Sequence, residues 1–536
     1  MNMVKLKERA KRLIIKQSIT EAAIIITVIG ALSRVIGFLR EMMIAAFFGA
    51  KKFTDSYVVA SAIPGILAGL VSGALASVFI PIYAELNEKK GRDEAEKFAR
   101  IIFYDLLLIL IIITAISYLI SPTIISILAP GFNEETKSLT INFTYIMLPA
   151  IIFWGTYGII TGFYNSRKSF VIPNIAGITG SIFYIVLIFL FHNKIGAYIL
   201  SWGYLVNVIV QYFLLIPFLK KIGFNLKIEI GFKNEGLKKA LHLIIPIFIG
   251  QSIGILNMAV DRIFGSYLPE GSISALNYAS RIYQLPLNLF VNALATAIYT
   301  DLSFNAQSED LSQFKNSLEK GLRAVLFFTI PSTLGFIFLA KPIVQLAFER
   351  GAFDFIATKR TSESLIFYSI GLVFMAVNTI LVRGFFALHD TKTPVKNSII
   401  ALLCNIILNI IFIKPLAHMG LALATSLASI ISTILLYRSI KGKIEKPFSV
   451  SMKKDIGKFI LGGFTISLIA FFTFNFLRNF ISQGQIALAI SLIISVGLAF
   501  LIYLYLGFRW KVEEAKRIFN VVRRSVEIFY GFTNIK

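Results

Sequence analysis

Runs of roughly 20 or more apolar residues recur from one end of this 536-residue chain to the other. Fourteen can be counted, beginning near residues 22, 56, 99, 138, 171, 195, 240, 273, 321, 361, 395, 416, 456 and 483. Each is long enough to cross a hydrocarbon core about 30 Å thick. Inside lipid, backbone polar groups must be satisfied without water, and single runs of this length achieve that as helices. The expected fold is therefore an all-α polytopic membrane protein with about 14 transmembrane helices. Composition agrees: 56% of residues are hydrophobic and 15% charged, against about 25% charged in soluble domains.

The net charge of +24 raises the question of nucleic acid. With the N-terminus cytoplasmic and the spans alternating, most Lys and Arg fall in the inner segments, which is the positive-inside pattern with both termini cytoplasmic. The excess thus reads as topology and contact with anionic membrane lipids, with no nucleic-acid partner. The single cysteine, Cys404, excludes an intramolecular disulfide. The four histidines lack metal-ligand spacing, and there is no Walker A, HExxH or GxSxG motif. A transporter is expected rather than an enzyme, with no cofactor. The basic start KLKERAKRLIIK is not followed by a small-residue cleavage site, so the first run is expected to remain as an anchor.

The chain repeats itself weakly. ALASVFIPIY from Ala74 matches ALATAIY from Ala293, SPTIISILAPGF from Ser121 matches KPIVQLAFERGAF from Lys341, and GFYNSRKSFVIPN from Gly162 matches GFFALHDTKTPVKN from Gly384. Six spans separate the copies, so the expected architecture is two parallel six-helix lobes around a central cavity, plus two C-terminal helices. The boundaries follow: a basic N-terminus (1–21), a first lobe (22–219), a basic linker (220–239), a second lobe (240–440), a basic linker (441–455), helices 13 and 14 (456–506), and a basic tail (507–536). In the tail, Val512, Ala515, Phe519, Val522, Val526 and Phe529 recur at helical spacing, so an amphipathic helix on the inner surface and a plain topology-setting tail are both open.

Arginines inside spans carry the functional argument. Arg34 and Arg40 lie in the first span and Arg281 in the eighth. A guanidinium keeps its charge, and at the bilayer centre it costs about 3 kcal/mol on insertion scales. Three such residues imply a wet cationic cavity with an anionic cargo. Arg34 and Arg40 are separated by ~9 Å along a helix and roughly 120° around it, so one can face cargo while the other pairs with an acid such as Glu41 or Asp55. Arg323 and Arg383, near inner helix ends, read as snorkelling. Asp261 beside Arg262 is either a salt bridge or, with the oxygens of Asn405, Asn409 and Thr425, a cation site suited to Na⁺; packing amides explain the Asn pair equally well. Gly30, Gly37, Pro64, Gly65, Gly69, Pro149, Pro246, Pro286 and Pro331 interrupt spans, and Pro64 and Pro286 are the expected bends beside the cationic helices.

SRVIGFLRE (Ser33–Glu41), FGAKKFTDSY (Phe48–Tyr57), LAFERGAFDFIAT (Leu346–Thr358) and HDTKTP (His389–Pro394) resemble the MurJ/MviN lipid II flippases of bacteria over nearly the whole chain. The resemblance implies the multidrug/oligosaccharidyl-lipid/polysaccharide exporter fold in the cytoplasmic (inner) membrane. It also implies a lipid-tail groove at the two extra helices. The cargo would be the peptidoglycan precursor lipid II, an undecaprenyl-pyrophosphate glycolipid, moved from the inner to the outer leaflet by a monomer. Arg34, Arg40 and Arg281 match the family's functional arginines, and Asp55 its acid at the start of the second span. Ser33, Glu41 and Gln284 are expected to support them. The sequence departs from the family where IPGILAGLVSGALASVF carries no charge and where Gln284 replaces an acid. Another polyprenyl-linked oligosaccharide, of O-antigen or capsule type, is the alternative cargo. A cation-coupled multidrug exporter fits less well, since it calls for an acidic cavity. Na⁺ or the membrane potential would supply energy in the absence of an ATPase motif.

Overall fold

A computed structural model describes residues 19–167, 169–225, 227–231, 252–308, 310–444, 449–481 and 484–520. Among them the regular elements are helical. These are α1 (Ile19–Phe48), α2 (Lys52–Ala60), α3 (Ala62–Lys89), α4 (Arg92–Leu128), α5 (Glu134–Met147), α6 (Ala150–Ser166), α7 (Val171–Ile195) and α8 (Tyr198–Leu219). After α9 (252–265) come α10 (Ser272–Pro286), α11 (Asn292–Asn305), α12 (Ser312–Phe348), α13 (Phe355–Ala387), α14 (Lys392–Leu416), α15 (His418–Lys441), α16 (Val450–Phe480), α17 (Gln485–Arg509) and a tail helix α18 (513–520). Side-chain caps start several of them: Asn133 accepts from Thr136 N (2.8 Å), Asp354 from Ala357 N (2.9 Å) and Ser449 from Met452 N (3.1 Å).

The all-helical expectation holds. The count of fourteen spans is not reached by length and composition: nine described helices qualify, or ten if α5 and α6, bent by 42° around Leu148–Pro149, form one span. Breaks explain part of the shortfall. The second run is cut at Ser61 between α2 and α3, and the eighth is cut by a π-helical turn, Leu287–Val291. Pro286 sits directly before that turn, as expected of a bend. Pro64 instead lies in the first turn of α3, where a missing N–H costs nothing. In α12 the break is at Leu339 (φ −113°, ψ 18°) rather than at Pro331; Pro342 removes a donor there and crowds the preceding turn. Pro246, Val522, Val526 and Phe529 lie outside the described residues.

The chain divides into two compact units: Met1–Ser274 with Arg350–Phe353, and Ala275–Glu349 with Asp354–Lys536. In the first, α1 packs on α7, α7 on α8, α3 on α6 and α2 on α5. α9 belongs to this unit although it follows the linker. Arg262 donates to Val58 O (3.4 Å), and Ser266 Oγ accepts from Gly131 N (3.0 Å). The described part of the linker is fixed to α4 and its neighbours. Phe224 is buried against Phe103 and Phe163, Glu229 pairs with Arg100 (3.2 Å), and Asp105 accepts from Gly231 N (3.1 Å). In the second unit, α13 packs on α12 and α15, α14 on α15, α12 on α16, and α16 on α17.

Small residues allow the close helix approaches. A Cβ on Gly203 of α8 would come within 2.1 Å of the Tyr184 ring of α7, and one on Gly371 of α13 within 2.7 Å of the Ser426 backbone of α15. Ser426 Oγ also accepts from Gly371 N (3.1 Å) and donates to Phe367 O (2.6 Å). This is the small-residue packing and hydrogen-bond glue of helices that associate in lipid.

Candidate functional site

α1 has weak packing on two sides. Val28, Leu32, Val35 and Leu39 are exposed on one, and on the other, about half a turn away, a Cβ on Gly30 or Gly37 would meet nothing within 4 Å. Ser33 lies between these sides: it is half-buried, and a Cβ on Gly177 of α7 would lie 3.2 Å from its Oγ. Ser33 is therefore a packing residue between α1 and α7.

The two arginines of α1 have different surroundings. Arg40 Nη2 is 2.9 Å from Glu41 Oε1, with the two side chains 20% and 5% exposed. Its guanidinium also lies over the Tyr184 ring, 5.6 Å from the centroid. Tyr184 is held in turn by donating to Leu200 O (2.6 Å). Arg40 is thus charge-compensated by its own neighbour. Arg34 is exposed and has no hydrogen-bond or ion-pair partner among the described residues.

Asp55 does not serve the arginines. Its carboxylate is 3% exposed; Oδ2 accepts from Gly271 N (2.6 Å), and Oδ1 accepts from Ser274 N (2.7 Å) and Ser274 Oγ (2.5 Å). It caps α10 from a distant part of the chain, with its negative charge at the positive end of the helix dipole. Its contact is therefore with the helix that carries Arg281, about 14 Å further along the axis. On α10, Arg281 is exposed and Gln284 half-buried, while Tyr283 stacks on Tyr368 of α13 (centroids 4.9 Å apart).

The oxygen-bearing residues group only in part. Asn409 Nδ2 donates to Asn405 Oδ1 (3.0 Å), and Asn405 Nδ2 to Thr425 Oγ1 (3.5 Å), forming a buried polar chain between α14 and α15. One amide oxygen is thereby already used. Asp261 lies on α9 in the first unit.

Arg323 does not snorkel. Nη2 is 2.9 Å from Asp455 Oδ2 of α16, and Nε is 3.5 Å from Glu514 Oε1 of α18, all three side chains being 10–13% exposed. Lys458 joins through Asp455 Oδ1 (2.9 Å) and Trp510 O (3.2 Å). A helix-end position alone concealed these acids, which lie 132 and 191 residues further along the sequence. Arg383 lies beside the Tyr299 ring, 5.5 Å from its centroid.

Known proteins agree with this architecture. The family described as "Lipid II flippase MurJ" matches residues 44–483. A probable lipid II flippase MurJ of Buchnera aphidicola subsp. Schizaphis graminum is 32% identical over 425 residues, covering 78% of this chain and 83% of that protein. The lipid II flippase MurJ of Burkholderia cenocepacia is 30% identical, covering 76% and 81%. The solved structure titled "Lipid II flippase MurJ, inward closed conformation" superposes with a TM-score of 0.76 at 31% identity, covering 91% of this chain and 99% of that one. A multidrug resistance MATE family transporter of the MOP superfamily, inward-facing, gives a TM-score of 0.66 at 15% identity over 79% and 96%, a likeness of fold. The chain belongs to the lipid II flippase MurJ family.

Proposed function

We propose that this chain is a lipid II flippase of the bacterial cytoplasmic membrane. It carries the undecaprenyl-pyrophosphate-linked precursor from the inner to the outer leaflet by alternating access, as a monomer with both termini cytoplasmic. The observation that carries the chemical part is Arg34. It is a permanent cation in an apolar helix with no anionic side chain beside it among the described residues, and a pyrophosphate supplies a counter-charge. Arg281, exposed on α10, is assigned the same task, and Arg40, already paired with Glu41, a weaker share of it.

Coupling is assigned to Na⁺ or to the membrane potential. Asp261, Asn405, Asn409 and Thr425 offer the oxygen donors that Na⁺ takes, and replacing Na⁺ by choline tests their role. Purified protein in proteoliposomes loaded with lipid II tests the main reading. Head groups should become accessible to an impermeant enzyme added outside faster than in protein-free vesicles; equal rates reject the assignment. The uncharged stretch Ile63–Phe79 and Gln284 favour a second cargo, another polyprenyl-linked oligosaccharide. Failure to complement loss of a lipid II flippase, with transport of that glycan in vesicles, selects the second reading.

A further inference from the structure

α17 is among the most apolar helices, with mean hydropathy 2.6 over its best window, and it ends at Arg509. The chain turns at Trp510–Val512, where Lys511 adopts φ +59°, and α18 begins at once. The four steps from Arg509 to Glu513 reach about 14 Å at most, so α18 begins close to the end of the span.

The start of α18 is docked on the protein. Val512 and Ala515 are each 1% exposed, and Glu514 reaches Arg323. Lys516 and Arg517 lie off that face, whereas Phe519, one turn beyond Ala515, continues it past the docked part. Lys516, Arg517 and Phe519 are exposed, as are Phe508, Arg509 and Lys511 at the end of α17 and in the turn. Phe508 and Phe519 pair with ring centroids 5.3 Å apart. Glu513, on the same side, is the only exposed acid of this stretch, and at 3.7 Å from Arg517 in water it neutralises little. Four cations around an aromatic pair, on a helix held at a span's end, match a phosphate-rich interface with acyl chains below it.

We propose that the outer face of α18 and the end of α17 form a docking surface for anionic phospholipid head groups. Lys511, Lys516, Arg509 and Arg517 contact phosphate, and Phe508 and Phe519 enter the acyl boundary. The buried cluster around Arg323 holds this surface in register with α12 and α16. The site is independent of the lipid II reading.

Trp510 lies between the exposed Arg509 and Lys511, half-buried against Gly462 of α16, and is one of three tryptophans in the chain. In a Trp154→Phe, Trp202→Phe background its fluorescence reports local lipid. In nanodiscs of fixed mole fraction, brominated phosphatidylglycerol should quench it about twofold more than brominated phosphatidylcholine. Lys516→Glu with Arg517→Glu should remove the difference, and so should raising the salt to about 1 M in the parent protein. Equal quenching by the two lipids in the parent overturns the proposal. So does a phosphatidylglycerol preference that survives both the charge reversal and high salt.

Discussion

α1 and the N-terminal part of α12 each hold an arginine in an apolar helix, and the two are treated in opposite ways. Arg323 is enclosed by Asp455 at 2.9 Å and Glu514 at 3.5 Å. Arg34 has no such partner among the described residues. Charge in a span is thus two different statements. Compensated, it joins helices; uncompensated, it waits for an anion that the protein does not supply. Arg40 lies between these cases, paired with Glu41 and capped by the Tyr184 ring.

The contrast is broken most directly at Arg323. Asp455→Ala leaves a mostly buried guanidinium with only its longer-range partner, which should cost about 3 kcal/mol. Thermal unfolding in detergent measures this, and a midpoint unchanged from wild type would remove the cluster as a structural element. Arg34→Ala should behave in the reverse manner. Its midpoint should stay at the wild-type value, while lipid II transport in proteoliposomes falls roughly 10- to 100-fold, the worth of a lost hydrogen bond to a charged group. If Arg34→Ala destabilises as Asp455→Ala does and transports normally, the distinction between the two arginines collapses.

Asp55 sharpens the comparison from a third side, because it is a buried carboxylate that serves backbone rather than a cation. Asp55→Ala strips the start of α10 of acceptors for Gly271 N, Ser274 N and Ser274 Oγ. The expected loss is about 2 kcal/mol in thermal or denaturant unfolding. Asp55→Asn should recover part of it, since a neutral oxygen still accepts. Equal loss in both variants would assign the whole effect to charge.

These examples show what the sequence made legible. Apolar runs gave the helices because lipid leaves a backbone few alternatives, and local pairing gave Arg40–Glu41 because adjacent residues need no tertiary knowledge. The motifs around Arg34 and Leu346 gave the family. What stayed hidden was long-range. Asp55 is 216 residues from Gly271, and Glu514 is 191 from Arg323. Neither pairing has a periodicity, so Asp55 read as a partner for arginine and Arg323 as a snorkelling side chain. The break at Leu339 was equally illegible: Pro331 and Pro342 both lie inside α12, and the sequence does not show which of them bends it.

The smallest predicted effect separates the two acids that hold Arg323. Burial raises the Glu514 carboxyl above its ordinary value of 4.5, and Arg323 only partly opposes this. The folded protein therefore holds that proton more tightly than the unfolded chain. Ionising Glu514 costs stability as pH rises from about 4.5 through the raised folded value, and the loss levels off above it. Glu514→Gln lacks this titration, so its stability should decline less than that of wild type over the same interval when unfolding is followed at a series of pH values. Parallel curves would mean that Arg323 holds Glu514 ionised as firmly as water does, making it an equal partner of Asp455. A shallower Gln curve would leave Asp455 as the acid that neutralises Arg323, with Glu514 serving chiefly to dock the tail helix.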